Sequence, residues 1–211
     1  MIITGHYGCG KTNLSVNIAL DIAAGGSKCT VIDLDIVNPY FRTADFTELF
    51  GKKGIDVKAP VYANSNLDIP SINIPLAEIL SEGGYVVMDV GGDDEGAKAL
   101  GRYAPVINAF EDKQVLYTVN KFRYLSRTAE EMLVLMREIE LAGSVRCTGL
   151  VNNSNLGAET RRENIEGSLP LFEELSQAAG LPALFTAVKR GLCDDMPGIY
   201  PVDIYVKPPW A

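Results

Sequence analysis

Short apolar runs alternate along this chain with longer stretches whose apolar positions recur every three or four residues. That is the pattern of strands buried on both faces, separated by amphipathic helices. Met1-Ile2-Ile3-Thr4 predicts a first strand, and residues 28–34, 85–90, 113–119, 146–152 and 183–188 predict five more. Helical spacing follows the first strand, with Leu14, Ile18 and Ile22 beside Val16, Ala19 and Ala23, until Gly25-Gly26 stops it. It is clearest over 128–142, where Ala129, Met132, Leu133, Met136 and Ile139 make one stripe. Thr128 and Glu131 form a capping-box pattern at its start. A further helix over 169–179 ends at Gly180-Leu181-Pro182. Such alternation predicts an α/β fold, a doubly wound and mostly parallel sheet with ligands at the carboxyl ends of its strands. Residues 59–75, rich in Pro, Asn and Ser, show little period and read as an irregular connection or a partner-facing loop.

Between the first strand and its helix stands Gly5-His6-Tyr7-Gly8-Cys9-Gly10-Lys11-Thr12, a complete G-x-x-x-x-G-K-[ST] loop. Its glycines let successive N–H groups converge on phosphate oxygens at a helix N-terminus. Lys11 supplies a charge for the β- and γ-phosphates, and the Thr12 hydroxyl a ligand for Mg²⁺. Strand, glycine loop and helix is the setting this motif requires, so the expected ligand is a nucleoside triphosphate.

With 211 residues and 47% hydrophobic content, the chain can bury the core of one domain, expected to span 1–211. A net charge of −8 disfavours nucleic acid as a partner. No apolar run approaches a membrane span and no leader precedes the loop, which predicts a cytoplasmic protein without a membrane partner. The four cysteines, at 9, 29, 147 and 193, form no C-x-x-C pair and suit reduced thiols.

Three strand ends add candidate chemistry. Asp33 and Asp35 close the second strand one residue apart, where alternate residues share a face. Bound Mg²⁺ or an attacking water would give that pair a purpose, and an Asp-rich turn is the plain alternative. Val86-Val87-Met88 delivers Asp89 to a strand end in the Walker B manner, followed by Gly91-Gly92, which lets backbone approach the γ-phosphate. Asn152-Asn153-Ser154-Asn155 ends another strand in amides that match the N6/N7 edge of adenine or simply build a turn. Asn120-Lys121-Phe122-Arg123 begins like the guanine-reading N-K-x-D, but Arg123 cannot accept the guanine N1 and N2 hydrogens. ATP is the expected nucleotide.

Together these residues resemble the MinD/ParA-type nucleotide-binding family, which includes the nitrogenase iron protein. The loop is similar to the family's K-G-G-x-G-K-[ST] and Asp33-Leu34-Asp35 to its D-x-D, while Asp89-Val90-Gly91-Gly92-Asp93 is similar to the D-V-x-G-D switch of the iron-protein branch and Asn153-Ser154 to that branch's adenine-reading N-S. The resemblance implies a P-loop NTPase fold with Lys11 and Asp35 catalytic, Asp35 positioning the water. Gly8, Cys9, Gly10, Lys11, Thr12, Asn13, Gly92 and Asn153 would then hold the nucleotide, and Thr12, Asp33 and Asp89 the Mg²⁺. It also places Ile36 to Arg42 in a switch loop beside the γ-phosphate. There Tyr40, Phe41 and Arg42 either dock a protein partner or pack locally.

The departures narrow the role. His6 stands where the family carries a lysine that crosses a homodimer, and no cysteine follows Asp93 until Cys147, so no Fe–S cluster is expected. The tail after Pro201 has no amphipathic pattern for membrane targeting. The expectation is a slow Mg²⁺–ATP-dependent ATPase acting as a switch on an unknown protein, with a homodimer possible. An ATP-dependent small-molecule kinase or ligase, or a non-catalytic sensor, are the alternatives.

Overall fold

The structure is a computed structural model in which residues 1–35, 43–59, 74–92, 94–124 and 126–206 are described. Strand β1 (Ile2–Thr4) runs through the glycine loop into α1 (Lys11–Ala24), followed by β2 (Cys29–Leu34). A 3₁₀ turn at Thr43–Phe46 leads into α2 (Thr47–Gly51), β3 (Asp56–Lys58), α3 (Leu76–Ser81) and β4 (Tyr85–Val90). Next come α4 (Asp94–Gly101), α5 (Ala104–Ala109), β5 (Val115–Val119), α6 (Ala129–Gly143) and β6 (Gly149–Asn152). A second 3₁₀ turn, α7 (Arg162–Glu166), α8 (Leu169–Ala179), β7 (Ala183–Lys189) and β8 (Ile199–Val202) complete the order.

Among the described residues, eight strands form one sheet in the order β3-β2-β4-β1-β5-β6-β7-β8. Every neighbouring pair is parallel, so the sheet is wholly rather than mostly parallel. Each of the six expected strands is present, with ends shifted by at most three residues. The two edge strands escaped the hydrophobic pattern for a physical reason. Asp56-Val57-Lys58 is too short and polar to show a period, and β8 contains Pro201, which a sheet tolerates only where its missing N–H is not needed.

Successive strand residues divide between two cores, as the pleat requires. Ile3, Val31, Val87, Leu116 and Val151 pack with Leu14 and Ile18 of α1 and Phe50 of α2 on one face. Ile2, Ile32, Met88, Tyr117 and Leu150 face Ile79, Leu100, Ile107, Met132, Met136 and Leu175 of the helices on the other. The sheet is therefore doubly wound. The expected capping box is also present: Glu131 N–H donates to Thr128 Oγ1 (3.1 Å), and Thr128 N–H donates back to the Glu131 carboxylate (3.3 Å). Most of the 59–75 stretch lies outside the described residues, which resume at Ile74.

Candidate functional site

Because all strands run the same way, the loops after β1, β2, β4, β5 and β6 gather at one edge of the sheet. The loop after β1 is shaped by three glycines with positive φ, at 144° (Gly5), 75° (Gly8) and 87° (Gly10). At Gly5 a β-carbon would stand 2.2 Å from the Thr118 carbonyl oxygen of β5, so only glycine lets the chain turn there. Gly10 then starts α1 with no side-chain cap, and the first helical turn carries no acidic residue. The opening N–H groups and the positive end of the helix therefore meet no side-chain cap and no carboxylate of their own first turn.

Lys11 is buried, and its ammonium donates to the His6 carbonyl across the loop (3.3 Å). Gly92 presses on the same place: a β-carbon there would come within 2.6 Å of Tyr7 N and 2.8 Å of Lys11 Nζ. Cys9 turns its thiol into the core, where burial raises its pKa, and can serve a ligand only through its backbone.

Parallel register sets Asp33 directly beside Asp89 on neighbouring strands, both buried on the α1 side. Asp35 follows the end of β2, and its N–H donates to Asp33 Oδ1 (2.9 Å). Asp89 Oδ2 accepts from the Thr43 hydroxyl (2.5 Å), while Oδ1 is buried with no hydrogen-bond partner among the described residues. Burial raises the Asp89 pKa; the Thr43 bond, the Lys11 charge and the Thr12 hydroxyl oppose that rise, and the nearby Asp35 charge adds to it.

An orphaned carboxylate oxygen beside a lysine and a threonine hydroxyl fits Mg²⁺, a hard cation that takes one or two carboxylates plus phosphate and water. Among the described residues no cluster of three or more His, Cys, Asp or Glu forms an all-protein metal cage.

The amides after β6 close the other side. Asn153 is buried, and its Nδ2 donates to the Cys9 carbonyl (2.7 Å), binding the strand end to the loop. Asn152 points away, donating to Ser168 Oγ (2.8 Å) and accepting from Ser154 N–H (3.1 Å). Asn120 ties the two strand ends together, with Oδ1 accepting from Phe122 N–H (3.0 Å) and Asn155 N–H (3.3 Å).

Gly8, Cys9, Gly10, Lys11, Thr12, Gly92, Asp33, Asp35, Asp89 and Asn153 thus converge on one edge. Asn13 does not turn its side chain there. Its Nδ2 donates to the Asp203 carbonyl (3.0 Å), and its Oδ1 accepts from Tyr205 (2.9 Å) and Val206 (3.2 Å) N–H groups, so it holds the segment after β8. Asn17, one turn on, grips Asp203 through both its N–H and carbonyl (2.8 and 2.9 Å). Tyr40, Phe41 and Arg42 lie outside the described residues, as does Asp93. Thr43, which holds Asp89, was not anticipated; a threonine opening a 3₁₀ turn carries no motif.

No protein-family model matches the chain, and no curated protein matches it significantly by sequence. Solved structures resemble it in fold. Cell division protein FtsY from Thermotoga maritima superposes with a TM-score of 0.61 at 15% identity, over 89% of this chain and 60% of that one. Chloroplast FtsY from Physcomitrella patens gives 0.59 at 16% identity, over 90% and 58%. The signal recognition particle 54 kDa protein from Aeropyrum pernix, solved with GDP, gives 0.55 at 16% identity, over 88% and 40%. This chain spans 60% or less of the length of each. The likeness is one of fold, a doubly wound parallel α/β sheet. Among the described residues no helix is long and apolar enough to cross a membrane.

Proposed function

We propose that this chain binds Mg²⁺–ATP at the edge formed by residues 5–12, 33–35, 89–92 and 153, hydrolyses it slowly, and acts through the resulting change on a protein partner. The observation that carries this reading is the orphaned Asp89 Oδ1, buried at a strand end beside Lys11 and Thr12. A buried carboxylate with an unused oxygen is costly, and a cation bound there would complete it. The resemblance to the MinD/ParA family in its short motifs supports the assignment.

In this reading the N–H groups from Gly8 to Thr12 wrap the phosphates, and Lys11 leaves the His6 carbonyl to neutralise charge developing on the γ-phosphate. Thr12, Asp89 and Asp33 would hold the Mg²⁺, which when bound would supply positive charge against the phosphate oxygens. Asp35 orients the water for in-line attack. Asn153 faces the base. An amide has two N–H donors and a carbonyl, so its bond to Cys9 uses only part of its capacity.

The test is calorimetric binding of ATP, ADP and GTP to the purified chain with and without Mg²⁺, alongside phosphate release. Mg²⁺-dependent ATP binding with slow turnover is expected. Absence of triphosphate binding would remove the proposal.

A further inference from the structure

His6, the loop's second residue, cannot serve as a fixed cation. His6 is half-buried, and burial first, then the neighbouring Lys11 charge, hold its pKa below the ordinary imidazole value. It is neutral at physiological pH. Beyond Lys11 and Mg²⁺, any further fixed positive charge on the triphosphate of the proposed reaction would therefore come from elsewhere.

One stands beside the loop. A β-carbon at Gly8 would lie 3.5 Å from Arg123 Nε and 3.6 Å from its Cζ, so the guanidinium lies alongside the middle of the phosphate loop. Arg123 is exposed, and among the described residues no carboxylate pairs with it. The turn leading to it is anchored at Asn120 and Lys121. Arg123 N–H donates to the Asn120 carbonyl (3.0 Å), and Asn120 is clamped to the β6 turn. Lys121 is tied at both ends, N–H to Ser154 Oγ (3.0 Å) and Nζ to the Gly167 carbonyl (2.5 Å). A turn anchored at Asn120 and Lys121 thus holds a planar guanidinium, unpaired among the described residues, against the glycine loop.

We propose that Arg123 is a catalytic residue that touches the phosphate chain from within the same subunit, its guanidinium pairing with non-bridging oxygens as negative charge shifts during hydrolysis. A guanidinium is always charged and presents parallel N–H donors that match phosphate bidentately. No partner subunit is needed to complete the charge. The inference rests on the ATP-hydrolysis reading above.

The experiment combines turnover and affinity for Arg123→Ala and Arg123→Lys, with circular dichroism to verify folding of these surface variants. Arg123→Ala is expected to lower kcat by roughly 10²–10³-fold, within or just below the span measured for arginine fingers. It should weaken ATP binding more than ADP binding, and Arg123→Lys should recover only part, since an ammonium lacks the fork. An equimolar mixture of Arg123→Ala with Lys11→Ala should stay inactive, because neither protein holds both groups at one site. Restored activity in that mixture would show contact across subunits and overturn the proposal, as would wild-type turnover and affinities in Arg123→Ala. If turnover proves too slow without a partner, the ATP-to-ADP affinity ratio alone decides. Failure of the wild-type protein to bind either nucleotide would instead defeat the parent reading, and this one with it.

Discussion

Asn153 and Cys9, 144 residues apart, are joined by a single hydrogen bond of 2.7 Å from side-chain amide to loop carbonyl. The bond makes the β6 turn part of the phosphate loop. The contact is tight, for a β-carbon on Gly10 would fall 2.3 Å from Asn153 Nδ2. Asn153→Ala is therefore expected to cost twice, in loop order and in base recognition. ATP affinity should fall about tenfold and the preference over GTP should shrink, while Asn152→Ala leaves that preference in place. Titration calorimetry with both nucleotides checks this, and equal wild-type affinities for ATP and GTP would refute the assignment of the base reader.

The cation side of the site separates by function. Lys11→Ala should reduce hydrolysis by at least ~10²-fold and sharply weaken ATP binding, since it removes charge from a buried loop. Asp89→Asn should flatten the Mg²⁺ dependence, and Asp35→Ala should spare binding while lowering turnover. Thr43→Val, which strips Asp89 of its hydroxyl partner, should weaken Mg²⁺ dependence by a smaller factor than Asp89→Asn. Phosphate release across a Mg²⁺ series reads all four.

Gly5→Ala should be among the most damaging single changes in the chain. The obstructing atom is the backbone oxygen of Thr118, 2.2 Å from the new carbon, in a central strand that cannot give way. A φ of 144° adds strain for any other residue. A loss of about 3 kcal/mol or more is expected by urea denaturation.

Glu140 predicts a pH dependence away from the site. Its carboxylate is buried and would be raised by that alone, but Cys147 N–H (2.8 Å), Arg137 (2.8 Å) and Arg146 (3.0 Å) hold it below the ordinary glutamate value. A carboxylate depressed in the folded state stabilises fully above its unfolded pKa and loses that contribution as pH falls through the folded one. Glu140→Gln should therefore cost about 1–2 kcal/mol at pH 7, and the gap from wild type should close below the unfolded value of 4.5. Denaturation midpoints from pH 7 to 3 test it; a constant gap would exclude the ionised network.

The parts of this molecule legible in its sequence were those that carry a period or a fixed spacing. α8 (Leu169–Ala179) matches its expected range because a Gly-Leu-Pro stop follows it, and the α6 capping box because Thr128 and Glu131 are three apart. The phosphate loop was legible for the same reason, as contiguous residues whose spacing is itself the geometry. Contacts between distant segments had no such signature. Thr43 meets Asp89 only once β2 and β4 are paired, and Asn13 reads as part of the loop motif until the segment after β8 lies against it. Arg123 was visible as a defect in a guanine motif, but its place against Gly8 comes from the turn that follows β5.

The position of β1 has a consequence for how the chain is made. Its three residues sit in the middle of the sheet, paired with β4 and β5 rather than with β2, the strand that follows in sequence. On the ribosome, Ile2 and Ile3 must wait for residues 85–119 to emerge before either edge of β1 finds its hydrogen-bonding partner. At translation speeds of about 5–20 residues per second that is a delay on the order of ten seconds, with an apolar segment unpaired throughout. Parallel pairing of segments so far apart is intrinsically slow. Nascent chains stalled before residue 85 should thus bind chaperones and resist folding, whereas chains extended past β5 should begin to protect the amides of Ile2 and Ile3 from exchange.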